Sequence, residues 1–347
     1  MKKIAVGMSG GVDSSTAAAL LLSQGYEVEG IIMRLKPDAL ADSDIADAQN
    51  VADALGIKLH ILDCRSEFKK NVIEPFTGEY LAARTPNPCV ECNSTIKFGA
   101  MLDYALNELR CDGIATGHYA QIEEKNGRFL LKRSASPKDQ SYFLHRLTQF
   151  QLAHSMFPLD GFEKEYIREY AEKLKLPVAS KRDSQEICFV PNDDYIAYLT
   201  SLGITSPKGN FVDIEGNVIG THNGIINYTV GQRKGLGAFG KPMFVNSLDA
   251  ESNTVTIGEN GTQYFIGLTA DRLNLIDPDS VPDEFRAEVK IRFRAKPEPA
   301  TVTKNGEFFR VIFDEPQRSI TPGQSAVIYI GDYVIGGGRI ISQIRSL

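Results

Sequence analysis

The sequence predicts an α/β domain on a parallel sheet, then a small β-rich domain, then a β-barrel. Over roughly the first 115 residues, apolar strands alternate with helical patterns, which is how a parallel sheet covered by helices is written. After about residue 200 the helical patterns stop, and short β-rich runs punctuated by Gly, Asn and Asp take over. No internal repeat or low-complexity tract interrupts either half. The expected boundaries are 1–200, 201–275 and 276–347.

"KKIAVGM" opens the chain as a strand, and "SSTAAALLLSQG" follows as a helix closed by Gly25. "EVEGIIMRL" is a second strand. "SDIADAQNVADALG" reads as a helix capped by Ser43 and ended by Gly56. "KLHILDC" is a third strand and "CDGIATGHYA" contains a fourth. Crossovers between such strands are right-handed almost without exception. In the second half, "DIEGNVIG" within "NFVDIEGNVIGTH" reads as a hairpin. "NTVTIGEN", "AEVKIRF", "FFRVIFDEP" and "SAVIYIGDYVIGGGRII" supply further strands, with a barrel of five or six expected. "IDPDSVPDEF" (276–285) reads as a linker between modules.

The composition, 42% hydrophobic and 24% charged over 347 residues, is that of an ordinary soluble protein. No run of about 18 apolar residues predicts a membrane span. The N-terminus enters a strand within three residues and lacks a signal-peptide pattern, so a cytoplasmic location is expected. The five cysteines (64, 89, 92, 111 and 188) are then expected to be reduced. The pair Cys89-x-x-Cys92 in "TPNPCVECN" points to metal binding or catalysis rather than a structural disulfide. A net charge of −6 argues against indiscriminate coating of nucleic acid but leaves room for a local basic face.

"IAVGMSGGVDSS" (4–15) carries the most chemistry. A strand ends at Met8, and Ser9-Gly10-Gly11-Val12-Asp13-Ser14-Ser15 opens a helix. Paired glycines let the backbone approach a phosphate closely, while serine hydroxyls and helix N–H groups donate to it. The loop has no lysine, unlike G-x-x-x-x-G-K-[ST]. It resembles the PP-loop of the ATP pyrophosphatase superfamily, whose fold is adenine nucleotide alpha hydrolase-like. That resemblance implies ATP cleaved between its α- and β-phosphates and AMP transferred to a substrate oxygen. Ser9, Gly10, Gly11, Ser14 and Ser15 would bind the pyrophosphate, with Gly7, Met8 and Val12 beside them and Asp13 linked to Mg²⁺. Met33 and Gly117 would meet adenine and ribose. Conversion of a carbonyl oxygen to an O-AMP ester makes it a leaving group.

"TPNPCVECN", "KDQSYFL" (138–144), "DSQEICFV" (183–190) and "GQRKGLG" (231–237) narrow the choice of substrate. With "TPGQSAV" (321–327) and "GGG" (336–338), they make the chain resemble, nearly end to end, the tRNA-specific 2-thiouridylase family, which replaces O2 of the wobble uridine by sulfur. By that resemblance Cys92 is the nucleophile and Cys188 accepts a persulfide from a donor protein. Asn87, Pro88 and Cys89 would touch the target base. Lys138, Asp139, Gln140, His118, Gln324 and the pair Arg292–Phe293 would touch tRNA. Lys181 and Arg182 could lower the Cys188 pKa or hold phosphate. Some relatives carry Asp where this chain has Cys89. Two mechanisms therefore stay open: a Cys92–Cys188 persulfide pair with Cys89 secondary, or a [4Fe–4S] cluster on Cys89, Cys92 and Cys188 with one iron open. Cys64 and Cys111 read as buried small side chains. A monomer binding one tRNA is expected.

A basic feature is readable without any family. "RAEVKIRFRAK" (286–296), taken as a strand, sets Lys290, Arg292, Arg294 and Lys296 on one face, and Phe293 toward a core. Such a face suits a phosphate backbone. Arg233 and Lys234, in a glycine-flanked loop, suit the shape of a folded RNA.

Overall fold

The computed structural model describes residues 1–36, 38–181 and 187–346. Arg182 and the 183–186 portion of "DSQEICFV" lie outside the described residues, as does Pro37. The chain divides into two compact units. The first comprises 1–72, 89–189 and 332–335, and the second comprises 73–88, 190–331 and 336–347.

In the first unit, β1 (Lys3–Gly7), β2 (Glu27–Arg34), β3 (Leu59–Asp63) and β4 (Gly113–Ala115) form a parallel sheet. β5 (Ala120–Lys125) and β6 (Arg128–Arg133) make a hairpin turning at Asn126–Gly127, both with positive φ. Asn-Gly is the favoured dipeptide for such a turn, although no hairpin was expected there. β7 (Ser155–Met156) completes the parallel sheet in the order β3-β2-β1-β4-β7. Ile4, Val6, Val28, Ile32 and Ala115 from its strands pack with Ala18 and Leu21 of α1 (Val12–Ser23) and Ala48 and Val51 of α2 (Asp38–Leu55). Ala17 and Leu20, on the other side of α1, pack against Tyr119, Leu159 and Ile167. Packing on two sides explains why a helix of small and aliphatic residues is buried almost all round. Ser43 does not cap α2, because that helix starts at Asp38, five residues upstream.

The strand order positions the site. The chain leaves β1 for β2 and β3 on one side, then returns to β4 on the other. The carboxyl ends of β1 and β4 thus flank a topological switch point, where open α/β sheets hold their ligands. Residues 8–11 follow β1, and 116–118 follow β4.

In the second unit, β8 (Gly209–Val212), β9 (Val218–His222), β10 (Met243–Asp249) and β11 (Thr254–Glu259) form a sheet in the order β10-β11-β8-β9. The expected hairpin is β8–β9, with Asp213 Oδ1 accepting from the backbone N–H groups of Glu215 and Asn217. β12 (Tyr264–Leu275), β13 (Glu284–Lys290), β14 (Glu298–Asn305), β15 (Phe308–Arg318), β16 (Ser325–Ile330) and β17 (Tyr333–Ile344) follow in the order β12-β15-β14-β13-β16-β17. Pairing of β12 with β17 closes this ring into a barrel. The segment 276–285, expected as a linker, joins β12 to β13 within the barrel sheet.

The basic strand is a correction. β13 ends at Lys290, and Ala295 N–H donates back to the Arg292 carbonyl, so the chain turns where the alternation was expected to continue. Ile291 is buried, as an inward strand position would be, which is why the pattern misleads. Arg292, Arg294 and Lys296 therefore do not continue a strand face begun by Lys290.

Candidate active site

The phosphate loop is built by its own serines. Ser14 Oγ accepts from the Ser9 backbone N–H at 3.1 Å and donates to the Gly11 carbonyl at 3.2 Å. Ser15 Oγ donates to the same carbonyl at 2.9 Å. These bonds fold residues 9–11 over the first turn of α1, leaving the helix start with the positive end of its dipole. Gly10 has φ +67°, and a Cβ there would stand 2.8 Å from the Asp44 carbonyl oxygen. A Cβ on Gly117 would stand 2.7 Å from the Ser14 nitrogen. Gly117 thus brings the loop after β4 against the start of α1, as a nucleotide crevice requires. Met8 and Val12 are buried and Met33 is half-buried on β2.

The lysine missing from the loop arrives from far along the chain. Lys164 Nζ lies 2.6 Å from Asp13 Oδ1 and is itself buried. Tyr119 donates its hydroxyl proton to the same oxygen at 2.9 Å. No local spacing relates Asp13 to residues 106 and 151 positions away, so neither partner was expected from the sequence.

The cysteines gather around a second buried cluster. Helix Pro88–Cys92 exposes Cys89 and buries Cys92, and it runs into a π-helical stretch, Asn93–Ala100. Cys188 is exposed. All are free thiols. Desolvation raises the pKa of each, pushing Cys92 up to about 12, and Lys97 is the leading opposing charge in all three cases. Each thiol feels the others: Cys188 acts on Cys89 and on Cys92. Lys181 is held elsewhere, on Asp47 at 2.7 Å and Asp44 at 3.4 Å. The expected aid to Cys188 thus comes from Lys97 and Lys36.

Lys97 Nζ stands 3.4 Å from His118 Nε2, and His118 Nδ1 stands 2.7 Å from Thr116 Oγ1. His118 is buried, and desolvation, with Lys97 beside it, holds its pKa well below 6.5. A neutral ring satisfies both contacts when Nδ1–H donates to Thr116 and Nε2 accepts from Lys97. Among the described residues, no three His, Cys, Asp or Glu side chains are grouped to hold a metal ion. Cys89, Cys92 and Cys188 therefore do not fit a three-thiolate cluster in this structure.

Comparison with known proteins decides what this pairing of phosphate loop and cysteines belongs to. The chain matches the family described as the tRNA methyl transferase HUP domain over residues 2–192. It matches the tRNA methyl transferase PRC-barrel domain over 197–259 and the aminomethyltransferase β-barrel domain over 266–340. The tRNA-specific 2-thiouridylase of Acetivibrio thermocellus is 49% identical, covering 98% of this chain and 99% of its own length. That of Clostridioides difficile is 46% identical with 98% of both chains covered, and that of Treponema denticola is 48% identical with 99% of both covered. The chain belongs to the tRNA-specific 2-thiouridylase family.

Against that family's expected tRNA contacts, the structure gives several residues internal work. Asp139 accepts from the backbone N–H groups of Ser134 and Ser141 and from the Ser141 hydroxyl. Gln140 exchanges hydrogen bonds with the backbone of Tyr119. Lys138 between them is exposed. Gln324 donates its amide to the carbonyls of Thr85 at 2.9 Å and Pro86 at 3.2 Å. It thereby fixes the approach to Asn87 and Pro88. Arg292 donates to the carbonyls of Val230 at 2.8 Å and Ser319 at 2.9 Å, and to Thr321 Oγ1. Phe293 lies under Lys290, 5.4 Å from ammonium to ring centre. In the glycine-flanked loop, Arg233 and Lys234 are exposed, and Gln232 closes the turn by donating to the Lys234 carbonyl.

Proposed function

We propose that this chain converts the wobble uridine of tRNA to 2-thiouridine by adenylating O2 and transferring sulfur from a persulfide on Cys188. Family membership makes it an ATP-dependent tRNA-uridine sulfurtransferase. The finer reading rests on one observation: an exposed Cys188 and a buried Cys92 are electrostatically coupled free thiols in the unit that carries the phosphate loop.

The uridine O2 attacks the ATP α-phosphate and pyrophosphate leaves toward Ser9–Ser15. Asp13 would hold Mg²⁺ carried by the nucleotide, since one carboxylate beside phosphates suits that ion, and the ion supplies charge for the departing pyrophosphate. The donor protein leaves its sulfur on Cys188, whose exposure suits delivery. The terminal sulfur attacks C2, the O2–C2 bond breaks and AMP departs. Cys92 then attacks Cys188 Sγ, releasing the thione and forming a Cys92–Cys188 disulfide that a reductant reopens. Cys89 stands beside the base as a secondary group.

On the RNA side, exposed Lys138, Arg233, Lys234, Arg294 and Lys296 meet phosphates. Asn87 and Pro88 meet the base, and Gln324, Arg292, Asp139 and Gln140 hold the loops that do so.

The test is nucleoside mass spectrometry on tRNA after single-turnover reaction with ATP and a persulfide donor. Cys92→Ser is expected to leave a Cys188-linked tRNA adduct, and Cys188→Ser to yield neither adduct nor product. Product from Cys188→Ser would contradict the reading.

A further inference from the structure

Lys97 lies five residues beyond Cys92, and the intervening stretch is π-helical. Hydrogen bonds in a π-helix run from i to i+5, so the residue five on returns to the same side, and such turns concentrate at functional sites. The buried His118 anchors its ammonium in a neutral Thr116–His118–Lys97 chain. Lys36 and Lys181 both have Asp44 as an ion-pair partner, whereas among the described residues Lys97 pairs with no carboxylate. Its charge is therefore uncompensated, in a desolvated place where it acts strongly on whatever anion forms nearby.

We propose that Lys97 is the positioning cation of the three-cysteine site, anchored on His118 and holding the negative charge that sulfur carries at Cys92 and Cys188 during transfer. This rests on the thiolation reading above. Sulfur passes between these residues as thiolate or perthiolate, and the thiolate is the nucleophilic form. Burial opposes that charge at every cysteine of the site. The opposing cation common to Cys89, Cys92 and Cys188 is Lys97. The other charges facing Cys188 are Lys36, which assists, and Asp44, which opposes. Cys92 also faces Cys188, Cys89 and Cys64, none of them cationic. Lys97 is placed to serve both partners of the transient disulfide in turn. A neutral His118 suits the task because it accepts from the ammonium without cancelling its charge.

The test is site-resolved alkylation by iodoacetamide as a function of pH on the full-length protein, read by peptide mass spectrometry. Lys97→Met is expected to move the alkylation midpoints of Cys92 and Cys188 to higher pH and to slow labelling near neutrality about tenfold, since the thiolate fraction there falls tenfold for each pH unit the midpoint rises. Lys97→Arg should retain wild-type midpoints. Cys64 is the internal control: it is buried and its surroundings do not include Lys97. If Cys64 becomes labelled in Lys97→Met, the fold has opened. The comparison then passes to Lys97→Gln, which keeps a donor for His118 but no charge. Unchanged midpoints in a folded neutral variant would overturn the proposal. Failure of the thiolation reading would appear separately, as wild-type protein that makes no 2-thiouridine.

Discussion

At the scale of single residues, the site depends on close approaches and charges that short motifs do not encode. Gly117 is the clearest case. Its missing Cβ leaves the space through which the β4 loop meets α1. Gly117→Ala should raise the KM for ATP about tenfold or more, equivalent to about 1.4 kcal/mol of lost nucleotide binding, with little change in tRNA affinity. Isothermal titration with a nucleotide analogue checks it. Lys164→Met removes the ammonium on Asp13 and should cost about 2 kcal/mol in urea unfolding, the range for a hydrogen bond to a charged group. The serines and glycines of 9–15 were legible because the phosphate-binding unit is contiguous. Lys164, Tyr119 and Lys97 were not. Their roles follow from the parallel sheet and the π-helical register, and neither leaves a local pattern.

Elements were read well where their period is simple. The β1 and α1 assignments hold because an apolar strand, a glycine turn and a small-residue helix follow in order. The cationic alternation at 286–296 was misread because its period continues past Lys290 while the backbone turns. Different consequences follow for residues that looked equivalent. Arg292→Ala should lower the melting temperature, since its guanidinium holds the carbonyls of Val230 and Ser319. Arg294→Ala and Lys296→Ala should leave it unchanged, weaken tRNA binding and each reduce the salt slope by about 1. Equal loss of stability in all three would contradict this division. Gln324→Ala should cost about 1–2 kcal/mol through its two bonds to Thr85 and Pro86, with faster amide exchange around Asn87.

For the whole molecule, two buried histidines set a pH limit. His145 is desolvated and its pKa falls to about 4, while His118 is also pushed well below 6.5. Because the folded pKa lies below the unfolded one, the unfolded chain binds the proton first. Stability is therefore complete above 6.5 and declines as pH falls from there toward 4, where the His145 contribution levels off. Urea midpoints across that window should fall with acidification, and His145→Phe should flatten the decline. The chain's net charge of −6 places the burden of RNA attraction on local cations, so binding should weaken steeply with salt despite an acidic protein. Among the described residues no helix is long and apolar enough to cross a membrane.

Two cysteines that pass sulfur to the wobble uridine need no cluster, and this is the point most open to direct test. The measurement is anaerobic single-turnover nucleoside mass spectrometry using iron-free protein, ATP and a persulfide donor. The expected result is 2-thiouridine in amounts matching enzyme, with a Cys92–Cys188 disulfide formed in step. Formation of 2-thiouridine only after iron–sulfur reconstitution would contradict it.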